Sequence, residues 1–329
     1  MWLMLRRPRA VRSGTVASGT AVPARGCCRL THGGGAMSSH ADPIRDVRVI
    51  TTGDGEVHHE HIYGTRKPEL IWIFFGRRWV RLPIHAYVID HRDGLVLFDT
   101  GQDRAVVTDP DYWPDPITAF FYRHVFRNIR IGPDDTLPAQ LERAGYSATQ
   151  VAKAVISHLH SDHVGGIADI PQAQLYAGEE GFIYLRSGDH PERATVFRER
   201  IELPGARWQM IAFAPTDDPA LAPFTEAFDL MGDGSMMVLP TPGHLPGSVS
   251  MLVRRDHAPS LLLVGDLTYD EQLLERDQVP AVCDDPEQLL ASYAKVRALK
   301  KHTPELIVLP AHDLHAAHKL GTTAQQAAW

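Results

Sequence analysis

The sequence predicts an α/β layered fold with mixed sheets. Short apolar, β-branched runs recur along most of the chain, as at 152–157, 249–253 and 261–264, which is the pattern of buried strands. Strands come first, then a helical stretch, more strands, and a final helix–strand unit at 285–309, an order that suits stacked sheets and helices. His158, His244, Asp266 and His312 each stand just after such a run. The strand ends therefore converge on one rim, and side chains on loops held by a rigid sheet are a common way to build a site.

A length of 329 residues allows one large domain or two small ones, and residues 41–329 are expected to form a single domain. With 44% hydrophobic and 22% charged residues, the composition is ordinary globular usage. A net charge of -7 and a pI near 6.2 count against nucleic acid as the main partner. Cys27, Cys28 and Cys283 are the three cysteines; two are adjacent, so no disulfide framework is implied and any metal must be held by His and carboxylate. No apolar run approaches the roughly 20 residues of a membrane span, and a cytoplasmic location is expected.

Taken in order, residues 1–40 carry Arg6, Arg7, Arg9, Arg12, Arg25 and Arg29 and no acid. They read as a targeting leader or as a disordered tail translated from a start upstream of the true one, with Met37 the alternative start. Residues 47–50 alternate as a strand. His58-His59-Glu60-His61 reads as surface polarity, and the apolar 70–75 stretch is left without an assignment. Residues 84–90 and 95–99 form two strands joined by a turn at His91-Arg92-Asp93-Gly94. His85 reads as a core or surface histidine, and Asp99-Thr100-Gly101 closes the second strand. The aromatic and basic stretch 110–131 contains an expected amphipathic helix over 117–129, which would wall a pocket, form a lid or pack in the core. Residues 136–144 read as a helix stopped by Gly145, 173–176 as a strand, 179–186 as a helix, and 208–213 as a strand. Met236–Leu239 leads into Thr241-Pro242-Gly243-His244, and 261–264 ends in Gly265-Asp266 with Tyr269 beyond. Asp285-Pro286-Glu287 is a strong helix start, with Asp as N-cap and Pro at the first helical position. The strand 306–309 ends at Ala311-His312-Asp313.

The densest chemistry is His158-Leu159-His160-Ser161-Asp162-His163, where four metal-capable side chains fall within six residues. It reads as the loop leaving the 152–157 strand. His158 and His160 are two apart, so in extended chain they point the same way and can grip one ion. Asp162 and His163 can turn toward a second. Imidazole and carboxylate suit zinc and other borderline divalent metals. Gly165 and Gly166 are expected to let the backbone turn tightly afterwards.

The order HLHSDH, TPGH, GD and a terminal histidine after a strand resembles the metallo-β-lactamase superfamily over about Val47 to His315. The resemblance implies an αββα sandwich of two mixed sheets flanked by helices, with two divalent metal ions, zinc foremost, at one edge. It implies His158, His160 and His244 on one metal, Asp162, His163 and His312 on the other, Asp266 bridging both, and Asp99 supporting the ligand loop. Aspartate at position 266, where the true β-lactamases commonly have cysteine, points to the hydrolase branches with metals held by His and Asp. Tyr269, three residues after Asp266, makes the N-acyl homoserine lactone lactonases the most similar branch. Ala311 stands where those enzymes have glycine before the terminal histidine, which loosens the match. In that branch the tyrosine meets the lactone, and the aspartate matching Asp162 protonates the departing oxygen, a role ring opening requires.

The expected partner is a small-molecule lactone or ester. A glyoxalase-II-like thioesterase and an aryl-ester or organophosphate hydrolase are alternatives of the same fold; the thioesterase would use a basic anchor, for which Lys300-Lys301 is the obvious pair. A nuclease is disfavoured by the acidic charge. The apolar 71–80 and 112–126 segments suit either pocket wall or the surface of a homodimer.

Overall fold

A computed structural model of the chain describes residues 42–321; the leader expected over residues 1–40, with Cys27 and Cys28, lies outside the described residues. Seven strands form one sheet: β1 (Ile44–His58), β2 (Trp79–His91), β3 (Gly94–Phe98), β4 (Phe126–Arg130), β5 (Val151–Val155), β6 (Gln174–Ala177) and β7 (Arg207–Met210). Their spatial order is β4-β1-β2-β3-β5-β6-β7. Six form the second: β8 (Ala214–Pro215), β9 (Glu226–Asp229), β10 (Met236–Pro240), β11 (Val249–Val253), β12 (Leu261–Gly265) and β13 (Ile307–Pro310), in the order β13-β12-β11-β10-β9-β8. Both sheets are mixed. β1, β2 and β3 pair antiparallel while β3, β5, β6 and β7 run parallel; in the second sheet only β12 and β13 are parallel.

The sandwich follows from strand periodicity. Tyr87, Ile89, Val96, Phe98 and Val155 of the first sheet share one buried cluster with Met236, Val238, Met251, Leu261 and Leu263 of the second. The alternate residues Leu239, Leu252, Leu262 and Val264 face the other way. They pack under the helix Pro286–His302 through Leu289, Tyr293, Val296 and Leu299. That helix starts where the sequence places it, with the Asp285 carboxylate accepting from the Glu287 and Gln288 amides.

The 70–75 stretch, to which the pattern assigns no element, is a helix, Glu69–Phe75. Several local expectations are corrected. The helix expected over 117–129 ends at Val125 and the chain continues as β4. There Arg127 binds Glu56, and Arg130 binds Asp54, both on β1, so strand pairing overrides local helix propensity. The aromatic stretches divide by face: Tyr112 is buried, while Ile117 and Phe120 are exposed, as are Phe74 and Phe75 on the neighbouring helix. The strand expected at 208–213 is Arg207–Met210. His58 and His61 are buried rather than surface residues, because the helix His59–Tyr63 docks against the end of β1. His85, read as a core or surface histidine, is buried. Among the described residues no helix is long and apolar enough to cross a membrane.

Candidate metal centre

Four loops meet at one rim of the sandwich. The first leaves β5. Residues 156–160 are loop there, and Ser161–Val164 is already a helical turn, a correction to the loop expected through His163. Gly165 and Gly166 do not serve as left-handed turn residues, since Gly165 is right-handed helical and Gly166 has φ -92°. Their smallness is what is needed. A Cβ on Gly165 would strike the Asp103 amide, and one on Gly166 would lie 2.6 Å from the Thr100 carbonyl. The motif is thereby pressed against the Asp99-Thr100-Gly101 turn, where the Thr100 hydroxyl and amide both donate to the His163 carbonyl, at 2.8 and 2.9 Å.

Asp99 is held at φ 63°, a left-handed conformation that aspartate tolerates better than most residues. It aims the carboxylate across to the β5 loop. One oxygen accepts from the Ser157 amide at 2.7 Å, and the other accepts from the Ser157 hydroxyl at 2.8 Å and from His163 Nδ1 at 2.9 Å. His244 follows β10, with the Gly243 carbonyl accepting from the Asp285 amide. Asp266 follows β12 through Gly265 at φ 55°, where a side chain would strike the Ser157 hydroxyl. His312 follows β13, and its Nδ1 donates to the Pro83 carbonyl at 2.7 Å. The glycine-to-alanine departure at Ala311 is accommodated in a buried position whose amide donates to the Gly265 carbonyl.

The structure brings together all seven sequence-predicted ligands, in two groups. His158, His160, His244 and Asp266 offer one set of atoms within 4.8 Å of one another, and Asp162, His163 and His312 another. Asp266 lies between them. One of its oxygens is 3.6 Å from His244 Nε2, and the other is 3.3 Å from His312 Nε2 and 3.5 Å from His163 Nε2. Asp162, the most open of the carboxylates there, has an oxygen 3.5 Å from His312 Nε2.

The hydrogen-bond partners indicate where the protons of this cluster lie. The Ser157 hydroxyl spends its proton on Asp99, so its oxygen accepts from His158 Nδ1 at 3.0 Å. His163 and His312 likewise place their Nδ1 protons outward, on Asp99 and Pro83. Their Nε2 atoms then present bare lone pairs to the carboxylates. His163 Nε2 and an Asp266 oxygen are buried without a hydrogen-bond partner, and His158 Nε2 stands 2.9 Å from His160 Nδ1. Such a crowd of buried lone pairs is unfavourable unless positive charge sits among them. The electrostatics carry the same demand. Burial alone would lower His163 and His312, yet Asp99 and Asp266 outweigh it for His163, and Asp266 for His312, and both are raised. Burial would raise Asp266, yet His312 and His163 hold it well below the usual carboxylate range. The donor set, imidazole nitrogen and carboxylate oxygen with outward-facing orienting bonds, fits borderline divalent metal.

His85 ties this rim to the first sheet, through Thr51 Oγ1 at 3.0 Å and the Asp313 carbonyl at 3.0 Å. Burial pushes its imidazole down from 6.5 to about 4, against a smaller upward pull from the Asp313 carbonyl. A folded pKa below the unfolded one means stability is full above the unfolded value of 6.5 and is lost as pH falls through about 4. At ~1.4 kcal/mol per unit the loss is roughly 3 kcal/mol. Urea unfolding from pH 7.5 to 4 should therefore show a steeper decline in wild type than in His85→Gln; equal slopes would remove His85 as a source of acid sensitivity.

Tyr269 stacks on His312, with centroids 5.7 Å apart and planes at 20°. Beside Asp162 a cleft is lined by Leu82, Ile84, Val106, Tyr122, Phe126 and Ile129. His61 Nε2 lies 3.2 Å from the Tyr269 hydroxyl. Sequence pattern misses this residue, because its own neighbours His58, His59 and Glu60 are polar and its contact is 208 positions away.

The family model of the metallo-beta-lactamase superfamily matches residues 79–312. The chain belongs to this superfamily. It is a metal-dependent hydrolase, and the αββα sandwich expected from its motifs is the superfamily fold. A probable metallo-hydrolase of Mycobacterium tuberculosis is 30% identical over 253 residues, covering 71% of this chain and 76% of that protein. The N-acyl homoserine lactonase AttM of Azorhizobium caulinodans is 29% identical over 241 residues, covering 70% and 82%. A solved N-acyl homoserine lactone hydrolase, with the product N-hexanoyl-L-homoserine at its catalytic metal centre, superposes with a TM-score of 0.66 at 20% identity, covering 83% of this chain and 94% of that one. This metallo-β-lactamase family member thus shares its sandwich with lactone-opening enzymes.

Proposed function

We propose that the chain opens the lactone ring of N-acyl homoserine lactones at a centre of two divalent ions, zinc foremost, and so degrades quorum signals. The observation that carries this reading is Tyr269 stacked on His312 at the edge of the seven-residue cluster; the likeness to AttM supports it. His158, His160 and His244 would hold one ion, Asp162, His163 and His312 the other, and Asp266 both. Bound there, such ions lower the pKa of water toward about 7 and polarise a carbonyl oxygen.

The chain's own groups do the rest. Tyr269 donates its hydroxyl proton to the lactone. As water adds to the carbonyl carbon, Asp162 takes the proton released. As the ring carbon–oxygen bond breaks, Asp162 returns that proton to the departing alkoxide, leaving an N-acyl homoserine. Asp162 suits the shuttle because its side chain is 18% exposed whereas Asp266 is 5% exposed.

The thioesterase alternative gains nothing from its anchor pair. Lys300 is bridged to Glu271 and Glu275 at 3.5 Å each, and Lys301 is on the solvent side of the helix.

The test sets purified protein against a short-chain and a long-chain acyl homoserine lactone, a thioester and an aryl phosphotriester, with and without chelator. Lactone hydrolysis well above the others, abolished by chelator and restored by metal, is expected. Tyr269→Phe should keep its metal and turn over roughly tenfold more slowly, the cost of one hydrogen bond of about 1.4 kcal/mol. Metal-loaded protein with no lactone turnover would move the ester-hydrolase reading to first place.

A further inference from the structure

We propose that His61 is the positioning residue of Tyr269: its Nε2–H donates to the phenol oxygen and leaves the phenol proton free to point at bound substrate. The proposal rests on the lactonase reading, in which Tyr269 meets the substrate.

The geometry is specific. His61 is 5% exposed, and its Nε2 is 3.2 Å from the Tyr269 hydroxyl. The two rings meet edge to face, with centroids 5.9 Å apart and planes at 73°. His61 Nδ1 has no hydrogen-bond partner, and that decides the tautomer. Burial pushes the imidazole down to about 3, so the ring is neutral and carries one proton. On Nδ1 that proton would be a buried donor with nothing to accept it, and orphaned buried N–H groups are rarer than unfilled acceptors. On Nε2 it reaches the tyrosine oxygen. The phenol then accepts from His61 and keeps its own proton for another acceptor. A histidine accepting at Nε2 would instead capture that proton and turn it away from the substrate.

The ring is held from several parts of the chain. The His61 carbonyl accepts from the Ala281 amide at 3.1 Å, and the His59 amide donates to the Arg78 carbonyl at 2.9 Å. Phe126 meets the imidazole edge to face at 5.7 Å. Tyr269 packs with Val57, Ile62, Leu82 and Leu273 in one cluster. Rotamers fixed by packing are what a positioned donor requires.

The experiment is a double-mutant cycle on lactone opening with His61→Phe, Tyr269→Phe and the pair, at matched metal content, beside His61→Gln, whose amide can still donate. His61→Phe should lower kcat about tenfold with KM and metal content unchanged. His61→Gln should recover most of that loss. In the Tyr269→Phe background, His61→Phe should cost nothing further, because the two act as a unit. Long-range 1H–15N correlation spectra of the wild-type protein should show a neutral His61 protonated on Nε2. An equal loss in both backgrounds, or a proton on Nδ1, overturns the proposal. Wild type inert toward every lactone would sink the lactonase reading itself. The cycle would then be run on whichever ester is hydrolysed, and with the spectra it decides His61 separately.

Discussion

Asp266→Ala should strip metal from both groups at once and lower hydrolysis by roughly three orders of magnitude or more. Every other predicted ligand faces one group, whereas Asp266 sets one oxygen toward His244 and the other toward His163 and His312. Removing it takes away the buried carboxylate that lies between the two groups. Metal stabilisation of developing charge is worth several kcal/mol, and each ~1.4 kcal/mol is a factor of ten in rate. Metal content by mass spectrometry and kcat/KM on the same sample are the measurements. His160→Ala should by contrast weaken one group while the other keeps its ion. Asp266→Ala protein that retained both ions and worked within tenfold of wild type would remove the bridging role.

The second large effect is expected at Asp99→Asn. The asparagine tolerates the φ of 63° there, so the backbone is spared and the test isolates the carboxylate. Asp99 accepts three bonds, from the Ser157 amide, the Ser157 hydroxyl and His163 Nδ1. An amide must turn its NH2 group toward one of these donors, and both His158, through Ser157, and His163 then lose their orientation. Partners of this kind cost 10–100-fold in metal affinity or activity when removed. The expected result is a metal dissociation constant weaker by about that factor, with turnover largely recovered at saturating metal. Unchanged affinity would reduce Asp99 to a turn residue.

How much of this was legible in sequence depends on the range of each interaction. The six-residue run His158 to His163 carries its chemistry in its spacing, and its place after β5 follows from the apolar 152–157 run. The cap at Asp285 and the turn at His91–Gly94 rest on bonds within a few residues, and both formed where the pattern put them. The expected helix over 117–129 failed at Phe126 because Glu56 and Asp54, about 70 positions earlier, draw Arg127 and Arg130 into a strand. The spacing predicts turn residues at Gly165 and Gly166, and their constraint is instead the close approach of Gln102 and Asp103 to the first and of Thr100 and Leu137 to the second.

The sequence by itself determined a layered α/β fold with buried strands, the residue types able to bind metal, and their placement at strand ends, because these are set by alternation and short spacing; the sandwich came from the likeness of its motifs to a known superfamily. Tertiary structure alone decided which oxygen of Asp266 faces which group, which partner each nitrogen of His163 and His312 meets, and that His61 is buried against Tyr269. Those depend on atoms brought together from distant strands, and on burial that leaves each proton a single acceptor.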